Sequence, residues 1–308
     1  MFRFKYIIAI MLCLLLVGCS TGSPKDKPVN SGKSSSINVV TSITPLADII
    51  TNIGGDKVQV SALIKPGNDP HDYEPTPEDA KKLSAAAVFF ANGVGEEPYL
   101  TKLVKNAGAP NTKIVTLSDG LEIIGKGSTD SDYAQSGNPH LWLDVKNVQA
   151  YAKKIRDTLS LAAPEDSAYF SANADKYLGE LEQLDKDITA KIQSIPPADR
   201  RMIVFHDAWP YFTKRYGLQN LKPVVKHSDS EPSAKEYAEL ITYIKEQKVK
   251  AVFAEAGFNP KLVKQLAQDT GVAFVNNLYD DTVAENGPAT TYIKMMEVNA
   301  DTIVKALK

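Results

Sequence analysis

Three of the four histidines in this 308-residue chain stand where short apolar runs end or loops begin, a setting that favours chemistry over packing. His206 directly follows the run Met202 to Phe205. His71 comes a few residues after Leu63, in Lys65-Pro66-Gly67-Asn68-Asp69-Pro70-His71, and His140 closes Gly137-Asn138-Pro139-His140. Acids occupy equivalent places: Glu255 ends another apolar run, and Asp280-Asp281 follow a third after a short connection. Imidazoles joined by a carboxylate suit a borderline divalent cation such as Zn²⁺, whose preferred shell is a tetrahedron of four ligands. Any one of these histidines alone reads as structural, and the combination carries the signal. His227 has no neighbours at metal-ligand spacing and reads as a surface or mouth residue.

Bringing such distant residues together needs a particular architecture. Short apolar runs at Ile37 to Val40, Val58 to Leu63, Ala87 to Ala91 and Lys113 to Leu117 read as strands of a βα array. The pattern recurs at Met202 to Phe205, Leu221 to Val225, Lys250 to Ala254 and Val272 to Val275, with helical stretches at Ser233 to Gln247 and Pro260 to Asp269. Thr44-Pro45 and Thr76-Pro77 each offer a threonine N-cap followed by proline in the first helical turn. Between the halves, Phe170, Tyr177, Leu181, Leu184, Ile188, Ile192 and Ile195 keep one stripe of a single long helix running from Pro164 to Pro196-Pro197. The expected fold class is α/β: two lobes, each with a four-stranded, mostly parallel sheet flanked by helices, bridged by that helix. The lobes would cover residues 37–163 and 197–308, and the linking helix 164–196. Ligands of such sheets bind beyond the carboxyl ends of the strands, where the three histidines and the acids are expected to meet.

Arg3 and Lys5 precede an apolar run from Tyr6 to Val17, which reads as a secretory signal over residues 1–18. It ends Leu16-Val17-Gly18-Cys19, similar to the bacterial lipobox, which implies cleavage before Cys19 and lipid attachment to its thiol. Cys13, the other cysteine, lies inside the signal, so no disulfide framework is available to the mature chain. Residues 19–36 are rich in Ser, Gly, Lys, Pro and Asn and read as a solvated tether. A formal net charge of −2, with no basic stripe, excludes nucleic acid as an expected partner.

Longer motifs carry a family resemblance. Asp69-Pro70-His71-Asp72-Tyr73-Glu74-Pro75-Thr76-Pro77 and Asn138-Pro139-His140-Leu141-Trp142-Leu143-Asp144 resemble two metal-ligand loops of the zinc/manganese-binding solute receptors of bacterial metal ABC importers, the cluster A-I lipoproteins. Phe205-His206-Asp207-Ala208, Glu231-Pro232-Ser233 and Thr291-Tyr292-Ile293 extend the likeness over about Ile37 to Leu307. The resemblance implies that His71, His140 and His206 ligate a metal ion carried as cargo, with Asp281 ahead of Asp280 as the fourth ligand. Glu255 and Asp144 stand as acids that either support ligand imidazoles from behind or face solvent. In this family a histidine at the position of His206 is usual in zinc receptors and a glutamate accompanies manganese, so the zinc-type subgroup, with Mn²⁺ as the alternative cargo, is the nearer match. The stretch from Ile124 to Gly137 reads as a flexible surface loop and lacks the histidines that some zinc receptors carry there. The implied partners are an ABC permease with its ATPase and the membrane that holds the lipid, around a monomeric receptor that catalyses nothing. A zinc hydrolase and a surface adhesin are the rival readings.

Lipidation at Cys19 has a direct readout. Wild-type protein should partition with membranes and carry the mass of its lipid, and Cys19→Ala should release it; unchanged partitioning together with an unlipidated wild-type mass would contradict the assignment.

Overall fold

The structure is a computed structural model and describes residues 36–127, 135–226, 228 and 230–308. The signal segment, Cys19, most of the tether and His227 lie outside the described residues. The described residues belong to one compact unit containing two four-stranded sheets.

In the first sheet β1 (Ile37–Thr41) lies between β2 (Val58–Ala62) and β3 (Val88–Ala91), and β4 (Lys113–Thr116) completes the order β2-β1-β3-β4. The second repeats this arrangement, with β5 (Arg201–Val204) between β6 (Gln219–Asn220) and β7 (Ala251–Glu255), followed by β8 (Ala273–Leu278). All the pairings are parallel, so the carboxyl ends of each sheet's strands share one edge. The inner strands of the second sheet are buried on both faces: Met202, Val204 and Phe253 belong to the main core, while Ile203, Val252 and Ala254 face a second core. Helices α7 (Ala234–Glu246) and α8 (Lys261–Thr270) cover that second face with Leu240, Ile244, Val263 and Leu266.

The long helix is α5, Ser167–Gln193. At about 1.5 Å per residue it is roughly 40 Å long. Its stripe Phe170, Ala174, Tyr177, Leu181, Leu184, Ile188 and Ile192 is buried, and it packs on α1 (Thr44–Gly54), α4 (Val145–Ala162) and α9 (Tyr292–Leu307), elements that come from both ends of the chain. It starts three residues later than the sequence suggested. The preceding turn, Pro164–Asp166, is a 3₁₀ turn, and Ala163 before the proline is driven to φ −138°, ψ 84°, which separates α4 from α5. Asp185, buried on the same helix, accepts from Arg215 Nε at 3.0 Å and Nη2 at 2.5 Å and so fixes α6 (Pro210–Tyr216) to it.

Two local expectations are corrected. Leu221 to Val225 is not a strand: Pro223 has no N–H to give, and regular pairing ends at Asn220, although Leu221, Val224 and Val225 still donate to Met202, Val204 and Phe205 carbonyls. Thr44 does not cap α1; the N-cap is Ile43, without a side-chain cap, and the Thr44 hydroxyl instead accepts from Val283 N at 3.0 Å. Thr76 does cap α2 (Pro77–Ser84), in a reciprocal box with Asp79.

Leu181 is fully buried in the stripe of α5. Leu181→Ala should therefore lower unfolding free energy by about 2–5 kcal/mol, read from urea midpoints of metal-free protein; a loss under about 0.5 kcal/mol would show that this helix contributes little to the shared core.

Candidate metal centre

His71 is carried by the loop after β2, which stays in register beyond the strand through Leu63 N to Thr41 O and Ile64 N to Ser42 O, both 2.9 Å. Gly67 provides the turn at φ +80°, and the Asp69 carboxylate accepts the His71 amide at 2.8 Å, closing the Asp-Pro-His turn so that the ring faces inward.

His140 is fully buried, and Asn138 orients it. The Asn138 amide nitrogen donates to Asp207 O at 2.6 Å, which leaves its oxygen to accept from His140 N at 3.1 Å and from Nδ1 at 2.9 Å. Nδ1 therefore holds the proton and Nε2 is the nitrogen turned toward His206 and Asp281. His206 is placed the same way by a different partner. It follows β5, and its Nδ1 donates to Glu255 Oε2 at 2.5 Å, while Glu255 Oε1 accepts from Trp209 Nε1 at 2.8 Å. Glu255 sits where β7 and β8 lose register, a bulge that turns the strand end toward the site.

Asp280 and Asp281 follow β8. Asn299 brackets the connection by accepting from Tyr279 N at 2.8 Å and donating to Tyr279 O at 2.6 Å, and Trp142 Nε1 donates to Asp280 O at 2.6 Å. The two carboxylates consequently diverge. Asp281 Oδ2 lies 3.7 Å from His71 Nε2 and 3.8 Å from His206 Nε2, and its Oδ1 lies 3.6 Å from His140 Nε2. Asp280 Oδ2 lies 3.5 Å from the opposite nitrogen of His206, Nδ1, on the side of Glu255.

His71, His140, His206 and Asp281 thus form one set whose potential ligand atoms all lie within 4.8 Å of one another. The three rings meet with centroids 5.1–5.6 Å apart. His140 Nε2 and His206 Nε2 face each other at 3.3 Å, and the buried Asp281 carboxylate accepts no hydrogen bond among the described residues. A tetrahedral ion with bonds of about 2.0–2.1 Å needs ligand atoms about 3.3–3.4 Å apart. The 3.3 Å edge between His140 and His206 meets that spacing, and the three edges to Asp281, 3.6–3.8 Å, exceed it by a few tenths of an ångström, which small side-chain movements would close around a divalent cation. A second group, His206, Glu255 and Asp280, stands behind the first and shares its imidazole.

Asp144 belongs to neither group. It is the N-cap of α4, accepting from Lys146 N at 2.8 Å, and its carboxylate faces Arg215 at 3.7 Å. It serves the helix start, and of the two readings the sequence left open for it, backing a ligand imidazole finds no contact here. Asn138, Trp209 and Asp69 position the site without having been singled out in the sequence; the Asx-Pro-His spacing shared by Asp69-Pro70-His71 and Asn138-Pro139-His140 was the available signal. Glu96, buried with no hydrogen-bond partner among the described residues, was also not picked out. A cavity of about 610 Å³, lined among others by Phe205, Tyr237, Phe258 and Lys261, adjoins the centre; the Phe258 ring lies 5.2 Å from that of His206.

The family model described as zinc-uptake complex component A, periplasmic (ZnuA), matches residues 39–306. The chain belongs to the ZnuA family. Among similar proteins are the manganese-binding lipoprotein MntA of Halalkalibacterium halodurans, 32% identical over 99% of this chain and 98% of its own, and the manganese ABC transporter substrate-binding lipoprotein PsaA of Streptococcus mitis, 30% identical over 97% of each. The Mn-bound periplasmic metal-binding protein from Candidatus Liberibacter asiaticus superposes with a TM-score of 0.79 at 28% identity, covering 89% of this chain and all of that one. The crystal structure of ZnuA superposes equally well at 30% identity and the same coverage. The family model is thus named for zinc uptake, whereas these relatives are named for manganese. Among the described residues no helix is long and apolar enough to cross a membrane.

Burial dominates the electrostatics of the centre. It lowers the His206 pKa despite the acids around it, so the imidazole is neutral and its lone pair is available. Burial also pushes Glu255 up to about 8 and, with the neighbouring carboxyls, raises Asp280 and Asp281 well above the usual carboxylate range. The folded metal-free protein consequently holds protons that the unfolded chain has released. Stability from the Glu255 carboxyl is complete below its unfolded value of 4.5 and declines as pH rises through about 8. A bound cation would replace those protons and remove the decline. The rise in melting temperature caused by Zn²⁺ should accordingly grow from pH 5 to pH 8 and fade below about pH 6, where imidazoles also take up protons. A metal-induced rise that stays constant over this range in thermal scans would contradict the assignment.

Proposed function

We propose that this protein is an extracytoplasmic receptor that captures one divalent transition-metal ion and presents it to an ABC permease driven by a cytoplasmic ATPase. The observation carrying the reading is the convergence of two Nε2 atoms, 3.3 Å apart, beside a buried Asp281 side chain, a set of nitrogen and oxygen donors that a single cation would join. His71, His140, His206 and Asp281 are the proposed ligands. Four protein ligands close a tetrahedral shell and leave no position for an activated water, which argues against a zinc hydrolase. Relatives named as ABC transporter substrate-binding lipoproteins support the receptor role, and an adhesin role has no support from the centre. The proposed arrangement has a signal over residues 1–18, a lipidated tether from Cys19 to residue 36, lobes over 37–163 and 197–308 joined by the 164–196 helix, and a monomer that meets the membrane through its lipid.

Zn²⁺ is the proposed cargo. Three imidazoles and a single carboxylate favour a borderline ion that accepts four-coordination, and the general affinity order runs the same way. Mn²⁺ is the second reading, favoured by the names of the relatives and by Asp281, which turns both oxygens toward the imidazoles and so offers a harder, higher-coordinate shell. Glu255 and Asp280 act in this reading from behind His206, holding its Nδ1 proton so that Nε2 meets the metal.

Competition titrations test the choice. Zn²⁺ should displace Mn²⁺ from wild type, His206→Glu should narrow or reverse the gap, and His227→Ala should leave it unchanged. Asp280→Ala should weaken binding roughly 10- to 100-fold, as for groups that orient a ligand, and Asp281→Ala should weaken it further. Equal affinities for the two metals in wild type would overturn the zinc reading, and a larger loss from His227→Ala than from His206→Ala would overturn the ligand set.

A further inference from the structure

The loop that carries Asp281 is tied to the first sheet by a pair of threonine hydroxyls. Thr282, buried beside Asp281, holds its Oγ1 3.2 Å from Gly67 N, 3.3 Å from Thr44 Oγ1 and 3.0 Å from Val283 O, and Val283 N donates to Thr44 Oγ1 at 3.0 Å. One proton arrangement satisfies every contact. Gly67 N–H and Thr44 O–H donate to Thr282 Oγ1, the Thr282 hydroxyl donates to Val283 O, and Val283 N–H donates to Thr44. Gly67 lies four residues before His71 in the same loop, and Thr44 opens α1 directly after β1. The hydroxyl of Thr282 therefore joins the carrier of one proposed ligand to the carrier of another, across the two sheets. The same loop faces Gly257, so close that a Cβ added there would meet Gly67 O at 3.4 Å. His71 is also the most accessible of the four, its side chain 23% exposed against 2% or less for the others.

We infer that Thr282, acting with Thr44, is a positioning residue for metal retention: the threonine clasp holds the His71 loop against the Asp281 loop, and its opening is the step through which the ion leaves. The inference rests on the receptor reading and adds to it the residue pair that sets residence time. Entry and exit pass through the same opened loop, so loss of the clasp speeds dissociation and does not slow association.

Thr282→Val keeps the shape and removes the hydroxyl, Thr44→Val removes the other half, and Thr282→Ser restores the hydrogen bonds. Stopped-flow chelator competition on Zn²⁺-loaded full-length protein should show dissociation roughly tenfold faster in both valine variants, association no slower than in wild type, and the serine variant close to wild type. The double variant should be no faster than the faster single one, because the two hydroxyls act as a unit. Melting of each metal-free variant is followed alongside, and either valine variant alone reads the clasp if the other fails to fold. Dissociation within about twofold of wild type in a folded valine variant, or association slowed as much as dissociation is speeded, overturns the inference while leaving the receptor reading intact. A wild type that takes up neither Zn²⁺ nor Mn²⁺ overturns both.

Discussion

Electrostatic frustration governs this molecule. Two imidazole nitrogens, each with its proton committed to the far side of the ring, face each other at 3.3 Å, and the buried Asp281 side chain, with no hydrogen-bond donor among the described residues, stands against both. Grouping imidazole nitrogens and acid oxygens in a buried place costs stability unless protons or a cation join them. Protonation of the surrounding acids is the fold's provisional answer, visible in the raised carboxyls of Glu255, Asp280 and Asp281. A metal ion is the fuller one.

The rest of the structure serves that convergence. Parallel strands put their carboxyl ends on one edge of each sheet, and α5, packed on α1, α4 and α9, forms one core with the elements that carry the loops. His71 and His140 arrive from the first half of the chain, His206 and Asp281 from the second. Each is held by a neighbour that is not itself in the cluster: Asp69 for the His71 turn, Asn138 and Glu255 for the ring nitrogens, and Asn299 for the approach to Asp281. Hydrogen bonds also cross between the halves, with Tyr211 Oη donating to Asn138 O at 2.8 Å and Tyr292 Oη to Trp142 O at 2.7 Å. Small relative movements are enough to break a shell assembled in this way, so tight retention and release are compatible.

Much of this was legible in the chain because the signals were local and periodic. Apolar runs between helix signals located most of the strands to within a residue, with Leu221 to Val225 the exception, and the stripe on α5 was readable at helical spacing. What escaped depended on partners far away in sequence. Thr44 had every local sign of an N-cap, yet its hydroxyl is taken by Val283, 239 residues on. Asp144 looked like a companion of His140 because it lies four residues after it, whereas the α4 start and Arg215 claim it. The Asp280-Asp281 ambiguity could not be resolved from spacing, since two adjacent loop carboxylates differ only in direction, and that direction is set by Trp142 and Asn299. Glu96 gave no sign at all, because burial of a lone acid is a tertiary property.

The central claim is that one ion lies among His71, His140, His206 and Asp281. A crystal structure of zinc-loaded protein, with anomalous data collected on both sides of the zinc absorption edge, tests it most directly. The account predicts a single strong anomalous peak about 2.0–2.1 Å from the Nε2 atoms of all three histidines and within about 2.2 Å of an Asp281 oxygen. A peak on the Nδ1 side of His206, held by Glu255 and Asp280, or one lacking any of the three imidazoles, would contradict it.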